Sequence, residues 1–350
     1  MSDFLVIGGG IAGAAAGFFL REHGDVTLLE AEPAPGLHAT GRSAALLSEY
    51  FGGAAVRAMT TESRAFYAAP PPGFAETPLL RPRGALAIGT GSAFEAALAA
   101  GSAAPEPAYE LNRVEARRLL PVLRPDAGWR ALLRPGVCDV DVTAVLDGFL
   151  RGIRSSGGKL VTDARVRALR RSGGVWHVET AAGTFRAPVV VNATGAWADE
   201  VAALAGVPRA GLVPRRRTLA LLSAPTGADS WPLLTDVPET CYLKPGSGGL
   251  LLSPADTGPM WPGRPQPDEP AIAAALARLE TLTTLRVRRV VRSWAGLRSA
   301  AGHDEPVIGA GGPGFHWLAG LGGYGVQIAP AAGRLLAGLV SAAVTEVRSA

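Results

Sequence analysis

Cysteine is almost missing from this chain: 350 residues hold two, Cys138 and Cys241, with no C-x-x-C pair. That excludes a disulfide framework and a cysteine-based zinc site, and no metal is expected. Lysine is equally scarce, since of 34 basic residues only Lys159 and Lys244 are not arginine. Beside abundant Ala and Gly, this reads as the codon usage of a GC-rich genome. Aromatic residues make up only 6% of the chain, and no basic stripe is interleaved with them. The arginine clusters at Arg215–Arg217 and Arg286–Arg292 therefore read as solvated strand faces, and a nucleic-acid partner is not expected. A long unbroken apolar run is also lacking. Phe4–Leu20 comes nearest, but a glycine turn splits it, and Asp3 stands where a signal peptide carries basic residues. We expect a cytoplasmic chain with no integral membrane segment. At 48% hydrophobic, 18% charged and a net charge of +4, it is globular and long enough for about two domains.

What is present begins at once. Residues 4–10 (Phe-Leu-Val-Ile-Gly-Gly-Gly) read as a buried strand running into a glycine turn. Gly8, Gly10 and Gly13 give the G-x-G-x-x-G spacing, and Ile11, Ala12 and Ala14–Ala16 begin a helix of small residues. A second apolar strand, Val26–Leu29, ends on Glu30 and Ala31. Gly8 allows the tight turn, Gly10 lets backbone amides approach a pyrophosphate, and Gly13 lets the helix pack close to its strand. Phosphates favour the helix N-terminus, where unpaired N–H groups and the dipole attract anions. Glu30 accepts hydrogen bonds from ribose hydroxyls and repels a 2′-phosphate. This order of strand, turn, helix, strand and acid predicts dinucleotide binding.

The remaining pattern predicts a discontinuous cofactor domain. An antiparallel meander is expected at Arg165–Arg170, Val175–Thr180 and Thr184–Arg186, followed by a further parallel strand at Val189–Val191, the turn Asn-Ala-Thr-Gly-Ala-Trp and a helix at Ala198–Ala205. Another strand, Phe315–Leu318, leads to a glycine cluster, Gly320–Gly325, and a helix from Ala329 to Val344. Residues 46–138 read as helical stretches (Ala54–Ala68, Glu95–Ala100, Arg113–Leu120) among Pro-rich loops. Residues 211–299 read as strands at Arg217–Leu222, Thr240–Lys244, Gly249–Ser253 and Arg288–Trp294, with a helix at Pro270–Leu282. We expect an α/β fold with a Rossmann-like cofactor domain (1–45, 139–210 and 300–350), a parallel sheet carrying a β-meander. An inserted α+β substrate domain (46–138 and 211–299) with a large, mainly antiparallel sheet completes it.

Three further runs carry a resemblance: Ala-Thr-Gly-Arg-Ser-Ala (39–44), Asn-Ala-Thr-Gly-Ala-Trp (192–197) and Gly-Gly-Tyr-Gly-Val-Gln (322–327). Together they resemble the FAD-dependent D-amino-acid oxidase superfamily, which includes glycine and sarcosine oxidases and D-amino-acid dehydrogenases. Tyr-Leu-Lys-Pro (242–245) and Trp-Ala-Gly-Leu-Arg-Ser (294–299) extend the likeness, nearest to the D-arginine dehydrogenases, over most of the chain. The resemblance implies non-covalent FAD, because no cysteine lies near Arg298. It implies that Thr40, Gly41, Arg42 and Ser43 join Gly8–Gly13 at the pyrophosphate, with Glu30 at the ribose and the Val166 backbone at the adenine. Ala44, Ala45, Gly195 and Trp197 are implied at the isoalloxazine side, with Ala193 among the cofactor-binding residues. Gly322, Gly323, Tyr324, Gly325, Val326 and Gln327 would bring helix N-terminal amides to the flavin edge, where negative charge collects on reduction.

For the substrate, the likeness implies that Arg298 grips the α-carboxylate through two parallel hydrogen bonds and that Tyr242 donates a third. Arg217 and Tyr324 stand behind them, and Leu46, Phe51 and Gly323 line the pocket. Relatives that accept arginine would offer a carboxylate within Thr77–Thr90, and none occurs there. Glu49 and Glu62 are the acids that could swing in instead. The expected substrate is a D-amino acid with an apolar or aromatic side chain, its α-hydrogen leaving as hydride to flavin N5. The imino acid hydrolyses to a 2-keto acid and ammonia. His303 and His316 read as solvated or hydrogen-bonded, since this transfer needs no strong base. No lysine lies in Leu250–Leu252, which leans the acceptor towards a quinone or dye-like carrier rather than oxygen. Alternatives are oxidation of a secondary or specialised amine, and a flavin-binding protein without turnover.

Overall fold

The computed structural model describes residues 1–246, 248–302 and 305–349. Strands and helices are numbered along the chain. A six-stranded sheet runs in the order β19 (Val307–Gly312), β20 (Phe315–Ala319), β13 (Val189–Asn192), β1 (Phe4–Ile7), β2 (Val26–Leu29) and β9 (Lys159–Val161). All its neighbours are parallel except β19, which pairs antiparallel with β20. The inner strands β1, β2 and β13 are buried along their whole length, which is why they read as continuous apolar runs instead of alternating ones. The meander β10 (Val166–Ser172), β11 (Val175–Thr180) and β12 (Gly183–Ala187) stands as its own three-stranded sheet.

The second large sheet has eight strands: β18 (Val290–Ala300), β14 (Val213–Leu222), β17 (Gly249–Ser253), β16 (Tyr242–Gly246), β15 (Leu233–Asp236), β5 (Ala85–Gly89), β7 (Arg130–Arg134) and β6 (Tyr109–Leu111). Only the β15–β5 pair is parallel. The sequence reading of 46–138 as helices and loops is corrected here, because β5, β6 and β7 complete this sheet. Their partners are far away in sequence, and the short run Ala85–Gly89 carries no periodic signal of its own. A small third sheet joins β3 (Leu46–Leu47), β8 (Cys138–Val140) and β4 (Leu80–Pro82).

Helices α1 (Ile11–Leu20), α2 (Ala54–Ala68), α5 (Val142–Ser155) and α8 (Gly325–Ser349) pack on one face of the six-stranded sheet, and α6 (Ala198–Leu204) lies on its other side. Helices α4 (Arg113–Leu119) and α7 (Glu269–Leu282) cover the outer face of the eight-stranded sheet, and α3 (Gly91–Ser102) lies near its β6–β7 edge. Helix α5 is a second element that the sequence reading passed over. Three helices are capped by side chains: Asn112 and Glu115 form a capping box on α4, and Asp141 and Asp268 cap α5 and α7. Helix α8 begins at Gly325, four residues before the expected start, with Pro330 inside it. Pro330 has no N–H for the Val326 carbonyl, and the buried Tyr67 hydroxyl donates to that oxygen instead. Gly325–Ala343 is long and apolar enough to cross a membrane, but 61% of its apolar window is buried in the fold against α1 and α2.

Candidate active site

Both large sheets border one cavity of about 800 Å³, within the range of small-molecule and cofactor sites. At one end lies the β1–α1 turn. Gly8 adopts φ +108°, and a Cβ there would lie 2.5 Å from the Ala193 carbonyl oxygen. Gly13 does not line the cavity; a Cβ on it would collide with the Gly8 carbonyl oxygen, so its glycine serves close helix–strand packing. Gly9 was not singled out by the sequence, yet a Cβ there would meet Glu30 Oε2 at 2.7 Å. The Gly9 N–H donates to that oxygen at 2.6 Å, and the Glu32 N–H donates to Glu30 Oε1 at 2.8 Å. Two backbone donors thus fix the Glu30 carboxylate, and each oxygen keeps a lone pair for a further donor.

Glu32 is a second acid at this end. It accepts from His38 Nε2 at 3.0 Å and Arg264 Nη2 at 2.7 Å, and these partners hold its carboxyl below the ordinary range, the His38 hydrogen bond first. The His38 ring packs on Trp197 with centroids 4.6 Å apart. Trp197 lines the cavity at the end that holds these acids. The Ile11 N–H donates to Thr40 Oγ1 at 3.0 Å, and no other side chain caps α1. Ser43 Oγ is buried without a partner among the described residues. Arg42 lines the cavity, but its Nε donates to the Leu37 carbonyl at 3.2 Å and its Nη1 to the Ala295 carbonyl at 2.9 Å. It ties the 37–43 loop to β18. Gly41 lies outside the cavity and donates to the Gly36 carbonyl. Ile11, Ala12, Ala31, Ala44, Ala45, Val166, Ala193 and Gly195 line the cavity as expected.

The other end is built by strand alternation. Arg217 pairs with Gly296, Arg298 lies two residues on in β18, and Leu219 is two residues on in β14. Period two puts all of them on one face, with Leu233, Thr235 and Tyr242 from β15 and β16. Their neighbours Ala220, Leu222, Leu234 and Leu243 face the opposite way into the core under α4 and α7. Gly323 lies directly over Arg298: a Cβ there would stand 2.7 Å from Nη1. Arg217 Nε and the Tyr242 hydroxyl are buried without hydrogen-bond partners among the described residues. Burial, then the charge of Arg298, push the Arg217 pKa down to about 10, against Tyr242, Asp256 and Tyr324. Buried donors and two guanidinium groups on one wall call for an anion.

The loop residues fill in around this wall. Leu46 packs near Tyr242, and the Phe51 ring carries Arg134 at 4.9 Å. Tyr324 lies beside Gly52, 3.5 Å from where a Cβ would be. Ser48, missed by the sequence reading, donates its N–H to Gln327 Oε1 at 3.1 Å, and Gln327 Nε2 donates to Thr60 Oγ1 at 3.0 Å. Gln327 thus fixes the loop that presents Leu46 and Phe51, while Gly322, Gly325 and Val326 line the wall beside it. Glu49 is held by Arg64 at 2.9 Å and Glu62 by Arg334 at 2.9 Å, and neither lines the cavity. Glu239 does line it, paired with Arg134 at 3.1 Å. Burial raises its pKa, and Arg134 opposes the rise. This acid comes from the 237–241 loop, which lies beside the end of β5 through the bond from Val237 N to the Ile88 carbonyl. No signal in 77–90 could have found it. His316 is buried in β20 with Nδ1 unpartnered among the described residues, away from the cavity; His303 lies outside the described residues. Among the described residues no His, Cys, Asp and Glu group could hold a metal.

Comparison with known proteins places this arrangement. The chain is 26% identical to the glycine oxidase of Geobacillus kaustophilus over 361 residues, spanning 97% of this chain and 92% of that protein. A crystal structure of that enzyme superposes with a TM-score of 0.85, at 24% identity over 97% of this chain and 95% of the other. L-proline dehydrogenase from P. horikoshii superposes at 0.83, with 20% identity over 98% and 94% of the two chains. Human mitochondrial dimethylglycine dehydrogenase is 29% identical over 154 residues, 43% of this chain, which spans 18% of that longer protein. The profile of the FAD dependent oxidoreductase family, DAO, matches residues 3–339, and the chain belongs to that family.

Proposed function

We propose that this protein oxidises the Cα–N bond of a D-amino acid. The observation that carries the reading is the pairing of Arg298 with Gly323, beside the unpartnered donors of Arg217 and Tyr242, in the same cavity as the Gly8–Glu30 turn. Bound FAD supplies the hydride acceptor. The pyrophosphate end fits the group, because Ser43 Oγ lacks a partner and the glycine turn leaves no room for side chains. Arg298 and Tyr242 would hold the α-carboxylate, with Arg217 and Tyr324 adding charge and shape, and so aim Cα–H at the cofactor. Leu46, Phe51, Leu219 and Leu233 offer apolar walls to an apolar or aromatic side chain. Membership of the two large sheets supports a cofactor half of 1–45, 139–210 and 300–350 against a substrate half of 46–138 and 211–299, with β8 and the end of β18 straddling the boundaries.

The substrate amine must be neutral for its lone pair to assist, so flavin reduction should quicken with pH and then level off. A rate flat from mildly acidic to alkaline pH would sink this mechanism. The direct test is anaerobic bleaching of the flavin band by D- and L-amino acids with aromatic, branched, basic and N-methyl members. Fastest bleaching by apolar D-amino acids supports the reading. Preference for N-methyl or glycine-like substrates moves it to a secondary-amine or glycine oxidase, the activity of its full-length relative. The absence of any bleaching favours a flavoprotein without turnover.

A further inference from the structure

Of the two arginine clusters that read as solvated faces in sequence, Arg215–Arg217 turns to the cavity and to Asp256 and Asp268, while the start of Arg286–Arg292 lies beside the arginines of α4. The segment following α4 runs beside the end of α7: Arg124 N donates to the Leu282 carbonyl at 3.0 Å, and Thr284 N to the Val122 carbonyl at 2.7 Å. Arg113, Arg117 and Arg118 of α4 are thereby brought near Arg286, Arg288 and Arg289, all exposed, whereas Arg292 lies on the opposite side of the sheet against Trp294. The acids nearby are Glu115, engaged in the α4 capping box, Glu110, paired with Arg130, Glu280, which reaches Arg286 only at 4.0 Å, and the exposed Asp126 beside Pro125, so arginines outnumber free carboxylates here. Among the described residues, Arg117, Arg118, Arg288 and Arg289 have no carboxylate within ion-pairing distance. Arg113, Arg117 and Arg118 also line a groove of about 270 Å³ with Val114, Pro121 and Pro125. Large aliphatic side chains stand out among the arginines, with Val114 62%, Leu119 41%, Val290 39% and Val291 46% exposed.

We propose that this face binds the surface of an anionic phospholipid bilayer. Guanidinium forks suit phosphodiester oxygens, and a groove lined by three of them fits a lipid headgroup. Exposed valines and leucine among cations suit the boundary between headgroups and acyl chains. Single-stranded nucleic acid would instead call for several exposed aromatic faces on which bases stack, whereas Trp129 is buried under Arg113 and Tyr109 of β6 is the single exposed ring close by in the chain among the described residues. Each arginine near an anionic leaflet adds to the attraction, and six on one face suit peripheral attachment. The eight-stranded sheet separates this face from the cavity, since α4 and α7 pack on the side opposite Arg217, Tyr242 and Arg298. Attachment therefore leaves the cavity walls untouched.

Cosedimentation of the flavin-loaded protein with vesicles tests this. Vesicles of phosphatidylcholine with about 30% phosphatidylglycerol at about 0.1 M salt should carry the protein down, and pure phosphatidylcholine should not. Raising salt to about 1 M should release it. The variants R117E/R118E and R288E/R289E should each weaken binding about tenfold or more, and V114S/V290S should weaken it severalfold, all with unchanged flavin content. Failure to sediment with anionic vesicles overturns the proposal, as does binding unaffected by charge reversal. Binding to heparin lost on charge reversal, with V114S/V290S without effect on vesicles, would identify a general polyanion surface and overturn it equally.

Discussion

Arg298 and Gly323 are matched in space, and that match carries a prediction at the scale of single residues. A methyl group on Gly323 would stand 2.7 Å from Nη1, so Gly323→Ala must push the guanidinium aside. We expect KM for the amino acid to rise about tenfold to a hundredfold with flavin content preserved, because one bidentate charge-assisted contact is lost. Arg298→Lys should show the same pattern, since an ammonium cannot form the fork. Steady-state kinetics with a flavin absorbance check decides both. His316 carries a pH prediction. Burial holds its pKa below the ordinary value of 6.5, so the folded protein keeps it neutral where the unfolded chain takes up a proton. Its contribution is present above about pH 6.5 and lost as the pH falls. His316→Gln should therefore flatten the fall in unfolding free energy between about pH 7 and pH 5, read from urea midpoints.

At the scale of elements, the continuity of α8 depends on another helix. Pro330 leaves the Val326 carbonyl without its backbone donor, and Tyr67 from α2 replaces it from inside the core. Tyr67→Phe removes that donor and strands a buried acceptor, which should cost about 1–3 kcal/mol in urea unfolding. The sequence placed the helix start at Ala329, after the glycine cluster, because nothing local tells that Gly325 and Val326 are already helical. Ala54–Ala68 and Gly249–Ser253 were legible to the residue, since each carries its own period and its own turn signals. By contrast β5 and β15 owe their strand state to each other, pairing in parallel across a long separation in the chain.

Across the whole molecule, the eight-stranded sheet is joined to the small third sheet by a buried charge. Lys244 of β16 donates to the Ala44 carbonyl at 2.9 Å and pairs with Asp139 of β8, which Arg83 also contacts. Burial lowers the Lys244 pKa, and Asp139 opposes the change. Lys244→Met removes one partner of a buried pair and should destabilise the protein by about 3 kcal/mol. It should also loosen the Ala44–Leu47 loop, so that substrate KM rises in the folded protein. Unchanged stability and unchanged KM would rule out this bridge.

Sequence alone carried the proposed cofactor end, because Gly8, Gly13 and Glu30 lie within one strand–helix–strand unit whose spacing sets the turn and the packing. It also determined Arg298, Tyr242 and Arg217 as candidates, through strand runs shared with a family. Only the tertiary structure decided which of these share a wall, because the register of β14, β16 and β18 sets which side chains face the cavity. It alone turned Glu49 and Glu62 towards arginines and brought Glu239 into the cavity from another loop. Trp197 likewise came to rest on His38. Pairing between distant segments leaves no periodic trace in either one, so these placements are absent from the chain until it folds.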